Sequence, residues 1–137
     1  MTREKINLSE NHRRSLTSTL MIVEQLLVEM EDMIKSPYIT CCQEIKLDIE
    51  KDTATHNLRV IAEARKVICN LTEKYNTEKS IRSLQRIIDV KKTRIWEILY
   101  DSRARKLKGF GDFPKELIKE FDKDIDELLN ITSKIKY

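Results

Sequence analysis

Apolar residues recur along this chain at steps of three and four, the spacing that lines one face of a helix. Leu16, Leu20, Val23, Leu27, Met30 and Ile34 make the first such face. Ser9, followed by Glu10, Asn11 and His12, reads as its N-cap with an acidic first turn. Lys35-Ser36-Pro37 ends it, because proline disfavours helix in the residue before it. The pattern predicts a helix over about residues 9–35.

A second face carries Ile45, Ile49, Val60, Ala64, Val67 and Leu71, but between Glu50 and Asn57 the seam positions fall on Asp52 and His56. The spacing favours one long helix over about 41–75, crossing the gap on a polar core layer of Asp52 and His56. The alternative is a break, with Thr53 or Thr55 capping the later piece. Thr77, Glu78 and Lys79 open a third helix, about 78–108, with Ile81, Leu84, Ile88, Ile95 and Leu99 on its face and Trp96 beside it. Gly109 suits the left-handed position that closes it. Asp112 caps a fourth helix, about 112–134, with Pro114 in its first turn and Leu117, Ile118, Phe121, Ile125, Leu128 and Leu129 facing inward.

Four helices with short links predict an all-α fold, an up-down-up-down four-helix bundle spanning residues 1–137 as a single domain. That topology brings the Pro37-Tyr38 and Gly109-Phe110-Gly111 connections to one end. Tyr38, Phe110 and Phe113 are therefore expected to cluster there as an interaction surface.

Composition narrows the alternatives. With two glycines and two prolines the chain lacks the turn residues a β-protein of this length requires. Its longest apolar stretch, Leu20 to Val28, is interrupted by Glu24 and Gln25 and falls short of the roughly 20 residues that span a bilayer. No membrane association is expected. The polar N-terminus has no signal-like apolar region, and three cysteines with a vicinal pair at Cys41-Cys42 make a poor disulfide framework. A cytoplasmic protein with free thiols is the expectation.

Candidate chemistry is sparse. There is no Glu-x-x-His pair, Cys-x-x-Cys-His or His-Glu-x-x-His, and the two histidines, His12 and His56, lie far apart on the expected helices, so neither metal nor cofactor is anticipated. Glycine-flanked serines and phosphate-cradling glycine loops are missing as well, which argues against an enzyme. Residues 79–108 hold ten basic and three acidic side chains, with a basic patch at Arg103, Arg105, Lys106 and Lys108 that suits phosphates. Residues 112–127 hold seven acidic and three basic ones, and the antiparallel pairing of the two helices is expected to neutralise much of that patch. No stacking aromatic array is evident beside it. Arg13 and Arg14, which oppose the helix dipole, are expected to pair with carboxylates such as Glu73 and Glu78.

Two resemblances add to this. His56-Asn57-Leu58-Arg59 resembles the His-x-Leu-Lys core of histidine-containing phosphotransfer domains, themselves four-helix bundles. The resemblance implies that His56 is a phospho-acceptor, although Val60 stands where that family has a glycine. Leu8-Ser9-Glu10-Asn11-His12-Arg13-Arg14 and Leu107-Lys108-Gly109-Phe110-Gly111, with the acidic helix after it, resemble uncharacterised prokaryotic conserved hypothetical proteins of similar length. That likeness implies a helical fold and no activity. The reading that follows is a non-enzymatic interaction or regulatory protein acting through self-association or a protein partner. Its alternatives are a phosphotransfer bundle using His56 and a nucleic-acid-associated protein using the basic third helix.

Overall fold

Ser9 starts the first helix as expected: its Oγ accepts the His12 N–H at 3.2 Å, and helix α1 runs Glu10–Lys35 to the stop at Ser36-Pro37. The computed structural model describes residues 5–136, without the side chain of Lys108. Three further helices follow, α2 (Lys51–Lys74), α3 (Leu84–Tyr100) and α4 (Ile118–Thr132), and the described residues contain no strand beyond one isolated bridge. The fold is all-helical. Where the sequence pattern suggested one domain, the chain divides between Lys79 and Ser80 into two compact units, each a helical hairpin.

In the first unit α1 packs on α2 with Leu20, Ile61 and Ile68 buried and Leu16, Leu27, Ile34, Leu58 and Leu71 half-buried beside them. Charge crosses the hairpin once among the described residues, where Arg65 donates to Glu31 at 2.8 Å. The segment expected to begin a long second helix is not helical. Ile39 and Glu44 form the isolated bridge, and the Thr40 hydroxyl accepts the N–H groups of Cys42 and Gln43 at 3.4 and 3.2 Å. Such local side-chain bonds compete with helix, and Leu47 and Ile49, both exposed, bury too little surface to overcome them. Helix α2 therefore starts at Lys51, with Asp52 in its first turn, where the dipole favours an acid, and without a threonine cap.

At its far end α2 closes on Asn76, whose φ of 52° is left-handed. The Thr77 N–H reaches the Thr72 carbonyl at 3.0 Å and the Asn76 N–H that of Glu73 at 3.3 Å, the two bonds of a Schellman cap.

In the second unit α3 is shorter than expected at both ends. Ser83, whose Oγ accepts the Arg86 N–H at 3.3 Å, caps it six residues into the expected helix, since Ile81 upstream is 96% exposed and packs on nothing. At the other end the chain leaves the helix at Asp101, and Arg103 is extended. The reason is tertiary: the Ala104 N–H donates to the Asp122 carboxylate at 2.9 Å and Ala104 is 2% exposed, so the turn Ala104–Lys106 is docked onto α4. Gly109 thus lies in a short helical turn after the helix has ended, and the positive φ belongs to Gly111 instead. Asp112 does not cap α4. A single turn at Lys115–Leu117 leads into it, with Pro114 as the flanking residue. Leu129 is buried and Phe121 and Ile125 are half-buried, with Ile88, Ile95 and Leu99 of α3 half-buried too.

Candidate functional site

Trp96 and Tyr100 stand one turn apart on α3, and their rings stack at 5.1 Å between centroids and 15° between planes. Because α3 ends at Tyr100 and the chain folds back to dock Ala104, the basic residues that follow are carried around that ring. The Arg103 guanidinium lies 5.4 Å from the Tyr100 centroid, that of Arg105 6.0 Å and the Lys106 ammonium 6.0 Å, and Arg105 also donates to the Tyr100 hydroxyl at 3.1 Å. Three cations within about 6 Å of one ring suit its quadrupole but repel one another.

Only Arg103 has an ion-pair partner, Asp126 on α4. The Arg103 Nε is buried without a hydrogen-bond acceptor, so the residue is held by its terminal nitrogen and by the ring. Arg105 and Lys106 are exposed, and no described carboxylate pairs with either. Of the expected basic patch, Arg103 is answered by the acidic helix through Asp126, and the Ala104 N–H beside it through Asp122. Asp122 is occupied by the backbone, and Lys119 and Lys123, exposed on the same helix, flank it. Contrary to expectation, a stacked aromatic pair lies beside the basic residues. Its signal was legible as Trp96 and Tyr100 at i,i+4 followed within six residues by Arg103, Arg105 and Lys106. The side chain of Lys108, the fourth member of the expected basic patch, lies outside the described residues.

The other expected sites resolve differently. Asp52 and His56 are both exposed, and no hydrogen bond joins them, so they form no polar core layer. The positions facing α1 in that stretch are Ala54, Asn57 and Leu58, half-buried one or two residues away. Phe113 packs against Phe121 at 4.8 Å between centroids, while Phe110 is 92% exposed, so these two do not cluster. Tyr38 belongs to the first unit, where its hydroxyl accepts the Gln43 side-chain amide at 3.0 Å. Arg14 pairs with Glu10 at 2.9 Å rather than with Glu73 or Glu78, although Glu78 lines the same open depression as Glu10, Arg13 and Arg14. All three cysteines are free and exposed. Among the described residues no three or more His, Cys, Asp or Glu side chains converge as a metal site, and no helix is long and apolar enough to cross a membrane.

Each hairpin also carries an apolar face that its own packing leaves open. In α1 the stripe is Ile22, Leu26, Met30 and Met33, and in α2 it is Val60 and Val67, all at least 40% exposed. At about 100° per residue both stripes lie on the same rotational side of their buried seams. In an antiparallel pair that puts them on one face. The second hairpin repeats the arrangement with Val90 and Ile98 of α3 and Leu128 and Ile131 of α4. Trp96, Tyr100 and Asp126 fall on its opposite face by the same count.

Compared with protein-family models, curated proteins and solved structures, the chain matches none.

Proposed function

We infer that this protein is a non-enzymatic interaction module that works by self-association, its two hairpins completing four-helix bundles, of up-down-up-down type, with the hairpins of a second copy. One observation carries the reading. Each hairpin exposes apolar side chains on one face, Ile22, Leu26, Met30 and Met33 with Val60 and Val67 in the first and Val90 and Ile98 with Leu128 and Ile131 in the second. A helical layer is stable when its apolar stripe is covered by another layer, and apolar side chains exposed together on one face mark an association surface. The buried set is small to match: Leu20, Ile61, Ile68, Ala104 and Leu129 among the described residues.

The test is the mass in solution. Light scattering is expected to give about twice the 16.2 kDa of one chain. A strict monomer across the accessible concentration range, with no protein partner recovered by crosslinking, would contradict the reading.

A second reading draws on the exposure of His56, which a phosphotransfer role requires. Transfer of a labelled phosphoryl group from a phosphorylated response-regulator domain, lost in His56→Gln, tests it.

A further inference from the structure

We propose that the Trp96–Tyr100 stack, with Arg105 and Lys106, binds single-stranded nucleic acid, an unpaired base stacking on the Trp96 indole while its phosphates lie against the two cations. Three positive groups surround the Tyr100 ring within 6.0 Å and one carboxylate, Asp126, answers them. The cluster is therefore short of negative charge. A phosphate between Arg105 and Lys106 would relieve their repulsion and gain charge-assisted hydrogen bonds.

Anion binding alone would not explain the aromatic pair. Trp96 is 52% exposed, and its stack on Tyr100 holds the indole in place on α3. A fixed aromatic face beside paired cations is how proteins hold unpaired bases, with stacking and phosphate contact acting together. A duplex keeps its bases stacked on one another and offers this ring nothing, so the ligand is a single strand. Arg103 plays a different part, since its ion pair with Asp126 and its contact with the Tyr100 ring make it a positioning residue. The site lies on the opposite face of the hairpin from Ile98 and Ile131, so its failure and the failure of self-association are separable.

Trp96 is the only tryptophan, which makes the test direct. Wild-type protein is titrated with twelve-nucleotide dT and rU strands, with a dA·dT duplex, with tripolyphosphate and with vesicles containing anionic phosphatidylglycerol. Indole fluorescence is followed, and labelled-strand anisotropy is read in parallel. Saturable quenching by dT or rU is expected, the comparison of the two telling DNA from RNA, with at least about tenfold weaker binding of the duplex. Trp96→Ala is expected to weaken strand binding about tenfold, with Trp96→Phe recovering most of it. Arg105→Ala combined with Lys106→Ala keeps the indole and is expected to flatten the log–log salt dependence by about 1.4, two phosphate contacts at ~0.7 each. The proposal is overturned if dT and rU leave the fluorescence unchanged. It is equally overturned if tripolyphosphate or vesicles displace the strand as well as unlabelled strand does and Trp96→Ala binds like wild type, since the patch is then a simple anion or lipid-headgroup surface.

Discussion

Arg65 on α2 donates to Glu31 on α1 at 2.8 Å, and Glu31 also accepts from Lys35 at 2.7 Å, so one carboxylate ties a helix to its own next turn and to its neighbour. The hydrogen bond from Lys35 and the attraction of both cations hold the Glu31 carboxyl below its ordinary value of 4.5, with desolvation working the other way. A group with a depressed folded-state pKa adds stability above its unfolded pKa and loses it as the pH falls through the folded one. Glu31→Gln is therefore expected to be less stable than wild type at neutral pH. The difference should shrink as the pH drops below 4.5 toward the lowered value, as followed by urea denaturation across an acid series. A difference that grew on acidification would contradict this.

The seam of the first hairpin makes a sharper demand. Ile61 is 5% exposed and Val60, its neighbour, is 47% exposed. Ile61→Ala should cost about 2–4 kcal/mol through lost burial and the cavity left behind. Val60→Ala, measured at concentrations low enough to dissociate oligomers, should cost well under about 1 kcal/mol. Chemical denaturation followed by circular dichroism distinguishes the two.

This pair also shows what the sequence could and could not reveal. Along α2 two apolar stripes overlap, Val60-Ala64-Val67-Leu71 and Leu58-Ile61-Ile68, and helical periodicity fits both. The first, which continues the Ile45-Ile49 spacing, is the partly open one. The second, with its larger side chains, turns to α1, and that choice is made by packing rather than by spacing. Helix existence was legible everywhere, and the Ser9 cap and the Pro37 stop gave α1 its bounds. The ends of α2 at Lys74 and α4 at Thr132 also fall within two residues of expectation, whereas the start of α2 and both ends of α3 do not, because they are set by contacts distant in sequence or by hydroxyl groups competing with helix. Asp122 pulls Ala104 out of any continuation of α3, and Thr40 and Ser83 bond locally. The aromatic–cation cluster was half legible: its residues stand together in the chain, but their convergence on Tyr100 depends on that Asp122 contact.

Asp122 should accordingly matter more than an ordinary surface acid. Removing it in Asp122→Ala leaves the N–H of Ala104, a residue 2% exposed, without its acceptor, at a cost of about 1–3 kcal/mol. Asp122→Asn retains a carbonyl acceptor and should lose less. Amide hydrogen exchange at Ala104 is the readout, with faster exchange expected in the alanine variant only.

The end of α2 offers a backbone test. Asn76, at φ 52°, holds the left-handed position of the cap, which a β-carbon without a helping polar group disfavours. Asn76→Ala is expected to destabilise the first hairpin by about 1 kcal/mol, whereas Asn76→Gly should be at least as stable as wild type in thermal melts.

The central claim is that the open apolar faces hold copies together, and sedimentation equilibrium of three proteins tests it most directly. Wild type is expected to sediment at about twice the 16.2 kDa chain mass. Ile22→Glu with Leu26→Glu, and separately Ile98→Glu with Ile131→Glu, should shift the equilibrium toward monomer while helicity by circular dichroism stays near that of wild type. Wild type sedimenting as a monomer, or both variants remaining dimeric with unchanged affinity, would contradict the account.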